Sequence, residues 1–402
     1  GGGYVQATYG SYNRTEIRGG LNLTVVPDQL FLRVSGAGVK KDGYVTRYDY
    51  RCTHPNSPVR TFAVSDNCKL GTEGGKSYVA GRGTLRWTPN DAIDISIIGD
   101  ITRDDSETAP STLLYVGNLA GPGSSATPTY TIDGVQFGTA SGSPFISYSP
   151  YGDFAQDSFT SSPFVSYENF LNYAPRDGTA PYAAPARNSL DTWGVSGNIT
   201  IDAGDVSITS ITSYRSYNSI FTSAESSPLN IALTANDVNH NQFSQELRLS
   251  GAINELLDYT VGGYYFEGTS DGGSRVQLPT LEFRQNDHVE SQTFAAFANA
   301  ELHLTDKLSL IGGLRYTDDK KTYEYGRLNL DGSVPQPTDP LNFLVAGLNG
   351  LDGEFSGDRL DYRVGANYRL NDDLMVYAQV STGFKGGGIN PRPSAPDQVL
   401  NF

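Results

Sequence analysis

The feature that most constrains this chain is a period of two, broken by connections of two very different lengths. Phe243, Gln245, Leu247 and Leu249 alternate with Ser244, Glu246 and Arg248. Leu30, Leu32 and Val34 alternate with Phe31, Arg33 and Ser35, and Ile93, Ile95 and Ile97 with Asp94 and Ser96. Phe294, Ala296, Ala298, Ala300 and Leu302 oppose Phe297, Asn299, Glu301 and His303; Tyr362, Val364, Ala366 and Tyr368 oppose Asp361, Arg363, Gly365 and Asn367. Such alternation gives a strand one apolar and one polar face. Short turns recur at "VVPDQL", "TPNDA", "DAGDV", "GAINEL", "LTDKL" and "LNDDL", where Asp, Asn, Pro and Gly supply turn geometry. Between them lie long Gly/Ser/Pro/Tyr-rich stretches, expected as loops at about 40–77, 104–190, 216–239, 269–288, 318–357 and 385–402. Short turns at one end and long loops at the other, joining strands of about ten residues, describe a transmembrane antiparallel β-barrel of the outer-membrane kind. Closure satisfies every backbone donor and acceptor, which an open edge in lipid cannot do.

Composition agrees. The chain has 402 residues with 45 Gly, 25 Tyr and one Met, a mixture that suits turns and aromatic edges rather than helices. No run of about 18 apolar residues is present, which excludes a transmembrane helix but not a barrel, whose strands need an apolar residue only at alternate positions. Trp87, Trp193, Tyr259, Tyr265, Tyr316, Tyr362 and Tyr368 are placed as an interfacial aromatic girdle. The net charge of −15 excludes nucleic acid as a partner, because that binding rests on basic patches. Two strands precede the first short turn, and counting on from turn to turn gives about thirteen, the last over Leu374–Phe384. Bacterial single-chain barrels have even strand numbers, so the count predicts a piece of a longer barrel. Gly1 already opens a strand-like stretch, "GGGYVQATYG", so any export signal is expected upstream.

Four stretches carry a family likeness: "GGYVQATYGSYNRTEIRGGLNLTVVPDQLFLRVSGAGVKKDGYV", "NQFSQELRLSG…LDYTVGGYYFEG", "SQTFAAFANAELHLTDKLSLIGGLRYTDDKK" and "VYAQVSTGFKGGGINPRPSAPDQV". In order and spacing they resemble the TonB-dependent outer-membrane receptors over nearly the whole chain. The resemblance implies part of a barrel of about twenty-two strands enclosing a plug. On this expectation 1–402 is one partial barrel domain of a bacterial outer-membrane protein, and the plug, the TonB box and the remaining strands lie outside the sequence. It also implies a receptor that imports a scarce nutrient with energy from the TonB system, in contact with outer-membrane lipid and lipopolysaccharide. A passive porin is the alternative, as is a structural component of a larger surface assembly with an outer-membrane partner.

No catalytic constellation is found. His54, His240, His288 and His303 are far apart, and no HExxH, CxxC or phosphate-binding motif is present, so neither an enzyme nor a cofactor is expected. Binding remains. The stretch 104–190 is far longer than ordinary connections and dense in aromatics, of which Tyr130, Tyr148, Tyr151, Phe154, Tyr167 and Tyr173 are candidates to stack on a siderophore, a glycan or another small molecule. They are equally able to pack the loop on itself. Acidic residues outnumber Arg176 and Arg187 there, which disfavours a strongly anionic ligand. Inward-facing charges, Arg18, Arg33, Arg82, Arg86, Glu246, Arg248, Glu301, Arg315 and Arg363, are expected to ladder across the wall, to hold a plug, or to do both, the two roles being compatible. Cys52 and Cys68 share one Pro/Ser/Asn-rich segment, as a loop-closing disulfide would; a metal site with His54 lacks a fourth ligand. Gly383 and Gly386–Gly388 are expected to let the last strand leave the sheet through backbone angles closed to other residues.

Overall fold

A computed structural model describes residues 1–53, 55, 67–111, 130–132, 135–137, 164–168, 170–172, 182–224, 233–278 and 281–402. In chain order the strands begin β1 (Gly2–Gly10), β2 (Arg14–Val26), β3 (Leu30–Lys41), β4 (Val45–Tyr48), β5 (Lys69–Glu73), β6 (Lys76–Asn90) and β7 (Ile93–Glu107). Short pieces follow: β8 (Tyr130–Ile132), β9 (Val135–Phe137), β10 (Val165–Ser166), β11 (Leu171–Asn172) and β12 (Tyr182–Ala183). Long strands then resume as β13 (Arg187–Ala203), β14 (Val206–Ala224), β15 (Leu233–Ile253), β16 (Leu257–Leu278) and β17 (Leu281–Thr305). The last are β18 (Leu308–Tyr325), β19 (Arg327–Leu328), β20 (Leu351–Asn371) and β21 (Leu374–Ser381).

Thirteen of these form one antiparallel meander, β1-β2-β3-β6-β7-β13-β14-β15-β16-β17-β18-β20-β21, and β19 adds a short pairing to β17. The strand path therefore follows the turn count. Opposed residues share a face, and the register makes the two faces plain. Leu249, Val261, Ala298, Leu314 and Tyr362 form one continuous row. The next row along is Arg248, Gly262, Phe297, Arg315 and Asp361. One face is thus apolar and uncovered, with Leu314 and Val364 more than half exposed, a surface that water penalises and lipid does not.

The aromatic residues mark the limits of that apolar band. Trp87, Tyr259 and Tyr368 lie towards the short-turn end, and Trp193, Tyr265 and Tyr316 towards the other. On β18, Leu308 opposes Tyr368, and Tyr316 follows eight residues later. At about 3.3 Å per residue the separation along the strand is about 26 Å. At a tilt of about 40° this spans about 20 Å of membrane, most of the apolar belt of about 25 Å in such barrels. Tyr362 lies between the two belts, opposite Leu314.

The sheet departs from the sequence expectation beyond the second belt. Positions 216–239 and 269–288 are mostly strand: β14 and β15 leave only 225–232 between them, and β16 and β17 only 279–280. Here both faces are polar, so alternation fades and Ser, Thr, Asn and Gly imitate a loop. The final strand also stops earlier than expected, at Ser381, although the Thr382 amide still donates to the Tyr362 carbonyl at 2.9 Å. Among the described residues, the apolar cores lie at the long-loop end. Phe170, Ala184 and Leu233 form one, and Phe283, Val345 and Leu348 another.

Candidate functional site: a polar inner wall and its mouth

The polar face holds itself together by pairs between neighbouring strands and by pairs two residues apart on one strand. Arg86 meets Asp94 through three contacts of 2.7 to 3.2 Å, and Arg82 lies 3.8 Å from Asp100. Glu246 pairs with Arg248, and Asp361 with Arg359 at 3.1 Å. His303 lies between Ser309 at 3.0 Å and Asp258 at 2.8 Å. Other arginines bond to neutral groups: Arg18 donates to Gln6 at 2.9 Å, Arg33 to Asn22 at 3.2 Å, Arg315 to Thr317 at 3.2 Å and Arg363 to Gln379 at 2.8 Å. Arg315 also lies near the rings of Tyr264 and Phe297. Among the described residues, Glu301 accepts one long bond, from Asn367 at 3.4 Å. All nine charged positions singled out from the sequence thus stand on strands of the wall, some in pairs and some joined only to neutral neighbours. Arg215 was missed: it lies in a Ser/Tyr-rich strand, and its partner Asp100 is 115 residues away.

At the mouth, two buried polar centres organise the loops. In the first, β10 pairs in parallel with β4 and β5 flanks β4 on its other side. Cys52 and Cys68 are disulfide-bonded, with Cα atoms 5.5 Å apart. Asp49 starts the short helix α1 (Tyr50–Thr53) by accepting from the Cys52 amide at 2.7 Å, and its own amide donates to the Cys68 carbonyl. Of the aromatic candidates, Tyr167 is buried here, edge-on to Tyr50 with centroids 5.0 Å apart. Tyr130 stands on β8, its side chain outside the described residues, where Tyr148, Tyr151, Phe154, Tyr173 and His54 also lie. The second centre is Asp287, which accepts from Arg327, from Tyr323 at 2.5 Å and from Gln285 at 2.6 Å. Burial and the neighbouring Asp287 push the Tyr323 hydroxyl well above the usual tyrosine range.

The triple glycine belongs to this mouth, for a reason other than the expected one. None of Gly383 and Gly386–Gly388 has a positive φ. A Cβ on Gly386 would strike the Asp319 carboxylate, and one on Gly387 the Phe355 ring. Lys321, beside Asp319 at 3.1 Å, also donates to the Gly387 carbonyl at 2.7 Å. At Gly386 and Gly387 the backbone passes too close to the inner wall to carry a side chain, and at Gly388 the Phe402 ring fills the space.

An apolar belt bounded by aromatics, a polar self-paired inner face and elaborated loops at one end define a bacterial outer-membrane β-barrel. Residues 129–400 match the family described as TonB dependent receptor-like, beta-barrel, and the chain belongs to that family. The Pesticin receptor of Yersinia pestis is 29% identical over 157 residues, 39% of this chain and 21% of that protein. Among solved structures, the ferric yersiniabactin uptake receptor FyuA from Yersinia pestis superposes with a TM-score of 0.65 at 16% identity, over all of this chain and 49% of that one. The ferric-catecholate import receptor Fiu from E. coli K12 gives 0.56 at 13% identity, over 94% of this chain and 50% of that one. The chain therefore spans about half the length of these solved receptors.

Proposed function

We propose that this chain forms part of the barrel of a TonB-dependent receptor that captures a scarce nutrient at its extracellular loops and imports it through a plugged lumen. The observation that carries this reading is the inner wall. Arg18, Arg33, Arg315 and Arg363 are bonded to neutral groups, and among the described residues Glu301 accepts one long bond, from Asn367. A surface so rich in donors and charge suits a polar polypeptide filling the barrel better than bulk water alone. TonB is the partner that supplies energy, and the protein is a transporter and not an enzyme.

The ligand is a small molecule. The similar solved receptors include a ferric yersiniabactin uptake receptor and a ferric-catecholate import receptor, which supports a metal chelate of the siderophore class. The acidic excess of 104–190 favours one less anionic than a catecholate complex. Tyr130, Tyr148, Tyr151, Phe154, Tyr167 and Tyr173 remain the proposed loop aromatics, buried Tyr167 for holding the loop and the others for stacking on the ligand. Planar-bilayer conductance of the full-length receptor tests the reading. A closed barrel, together with iron-limited growth that depends on both this gene and TonB, is expected. A steadily open pore with TonB-independent growth would favour the porin instead.

A further inference from the structure

Glu73 and Glu168 meet where the first extracellular loop touches the long second one. Both are buried, Glu73 completely and Glu168 to 5% exposure. Ser111 bridges them: its amide donates to Glu73 Oε2 at 3.2 Å and its hydroxyl to Glu168 Oε2 at 3.3 Å. Glu73 ends β5 opposite Val45 of β4, and Glu168 follows β10, so the pair closes the three-stranded β10-β4-β5 sheet. Among the described residues, the other charged groups facing this joint are Arg47 on β4 and Glu107 at the end of β7. Glu107 is already served by Thr72 at 2.6 Å and the Gly75 amide at 2.8 Å. Arg47 is stacked 4.7 Å from the Phe170 ring and is attracted by all three carboxylates, Glu73, Glu168 and Glu107.

Counting donors exposes a deficit. Ser111 and Ser166 serve the Glu73 carboxyl, yet its Oε1 is buried with no donor in hydrogen-bond geometry among the described residues, and the neighbouring Glu168 is also a carboxyl group. Two buried carboxylates side by side repel, whereas one proton between them supplies the missing donor and removes the repulsion.

We propose that Glu73 and Glu168 share one proton in the closed mouth, and that this proton is a latch: its loss separates β10 from β4 and frees the long loop from the first. Burial pushes the Glu73 carboxyl up, opposed by the Ser111 amide, by Glu168 and Ser166, and by Arg47. A carboxyl raised by folding favours the closed joint below the ordinary carboxylate range and loses that contribution as pH rises through the raised value. The joint therefore opens towards alkaline pH.

Amide hydrogen exchange of 45–48 and 164–168 in the whole protein tests this, with each rate divided by its intrinsic rate at that pH. In the wild type, protection is expected to fall about tenfold per pH unit once the pair titrates, within a scan from about pH 5 to pH 9. Glu73→Gln, whose amide donates permanently to Glu168, should keep protection high and flat. A wild-type joint with flat protection, or a Glu73→Gln joint with the wild-type fall, overturns the latch. Should Glu73→Gln fail to fold, infrared spectra of the wild type decide. A protonated carboxyl band that disappears together with protection supports the latch, and its absence from the closed state refutes it. No readout involves ligand or uptake, so the result is separate from the importer reading.

Discussion

Arg215 on β14 crosses the whole of β13 to reach Asp100 on β7, its Nη2 lying 2.9 and 3.0 Å from the two carboxylate oxygens. Gly194, the residue between them in register, makes the crossing possible: a Cβ there would lie 2.9 Å from Arg215 Nη2 and 3.0 Å from Cζ. Gly194→Leu should therefore displace the guanidinium and cost about 1 kcal/mol, the modest figure that a partly exposed ion pair allows. In an Arg215→Met background the same change should cost clearly less. Urea unfolding of the four proteins in lipid vesicles measures the coupling.

Arg327 and Asp287 are a different case, both nearly inaccessible, with side chains 2% and 4% exposed. Arg327→Leu leaves a buried carboxylate among Tyr323, Gln285 and the Gly326 amide. A local loss of about 3–5 kcal/mol is expected, read as faster amide exchange across 326–350 with the barrel still heat-modifiable on a gel. Pairing it with Asp287→Leu should recover much of the loss.

His288 faces Asp271 at 2.7 Å and Glu290 at 3.4 Å, beyond the outer aromatic belt. The Asp271 hydrogen bond, more than Glu290, raises its imidazole above the ordinary value despite partial desolvation. A histidine raised by folding contributes stability fully below its unfolded value, near 6.5, and loses it as pH climbs through the folded one. The effect is small, because the side chains are exposed and salt screens them. Its signature is an upward-shifted NMR titration of His288 that moves back towards the ordinary value in Asp271→Asn.

The Cys52–Cys68 bond should survive purification, so alkylation without reduction should leave both sulfurs unmodified in the mass spectrum. Replacing both by Ser should remove about 3 kcal/mol from the local loop, following the entropy of closing a segment of this size. Protease sensitivity should rise in 45–73 and leave the wall untouched.

Replacing 112–163 by a short Gly/Ser linker should abolish uptake while the barrel stays heat-modifiable. Unchanged uptake would show that the aromatic candidates there are dispensable.

The wall was legible because lipid imposes its pattern residue by residue. Leu247, Leu249 and Arg248 could be assigned to faces from spacing alone, and Trp193 and Tyr316 to a belt. Legibility ended where that solvent ends. Asn239, Asp271 and His288 share a strand row that looks like loop composition because neither face there is apolar. The mouth was hidden for another reason. Asp287 with Arg327, Glu73 with Glu168, and Arg215 with Asp100 are 40, 95 and 115 residues apart and carry no periodicity. Gly386–Gly388 were noticed for their composition, but the cause, the nearness of Asp319 and Phe355, belongs to tertiary structure.

The seam between β7 and β13 has a consequence for how such a wall assembles. Every other neighbouring pair on the path is joined by a far shorter stretch of chain, so most of the sheet can be added one hairpin at a time, with low contact order. At that seam, 79 residues (108–186) separate the strands. Because closure entropy grows only with the logarithm of length, a tenfold longer excursion costs about 2 kcal/mol, roughly one good core contact. The register of the β7–β13 pair can thus stay fixed while selection lengthens, shortens or replaces the segment between its strands.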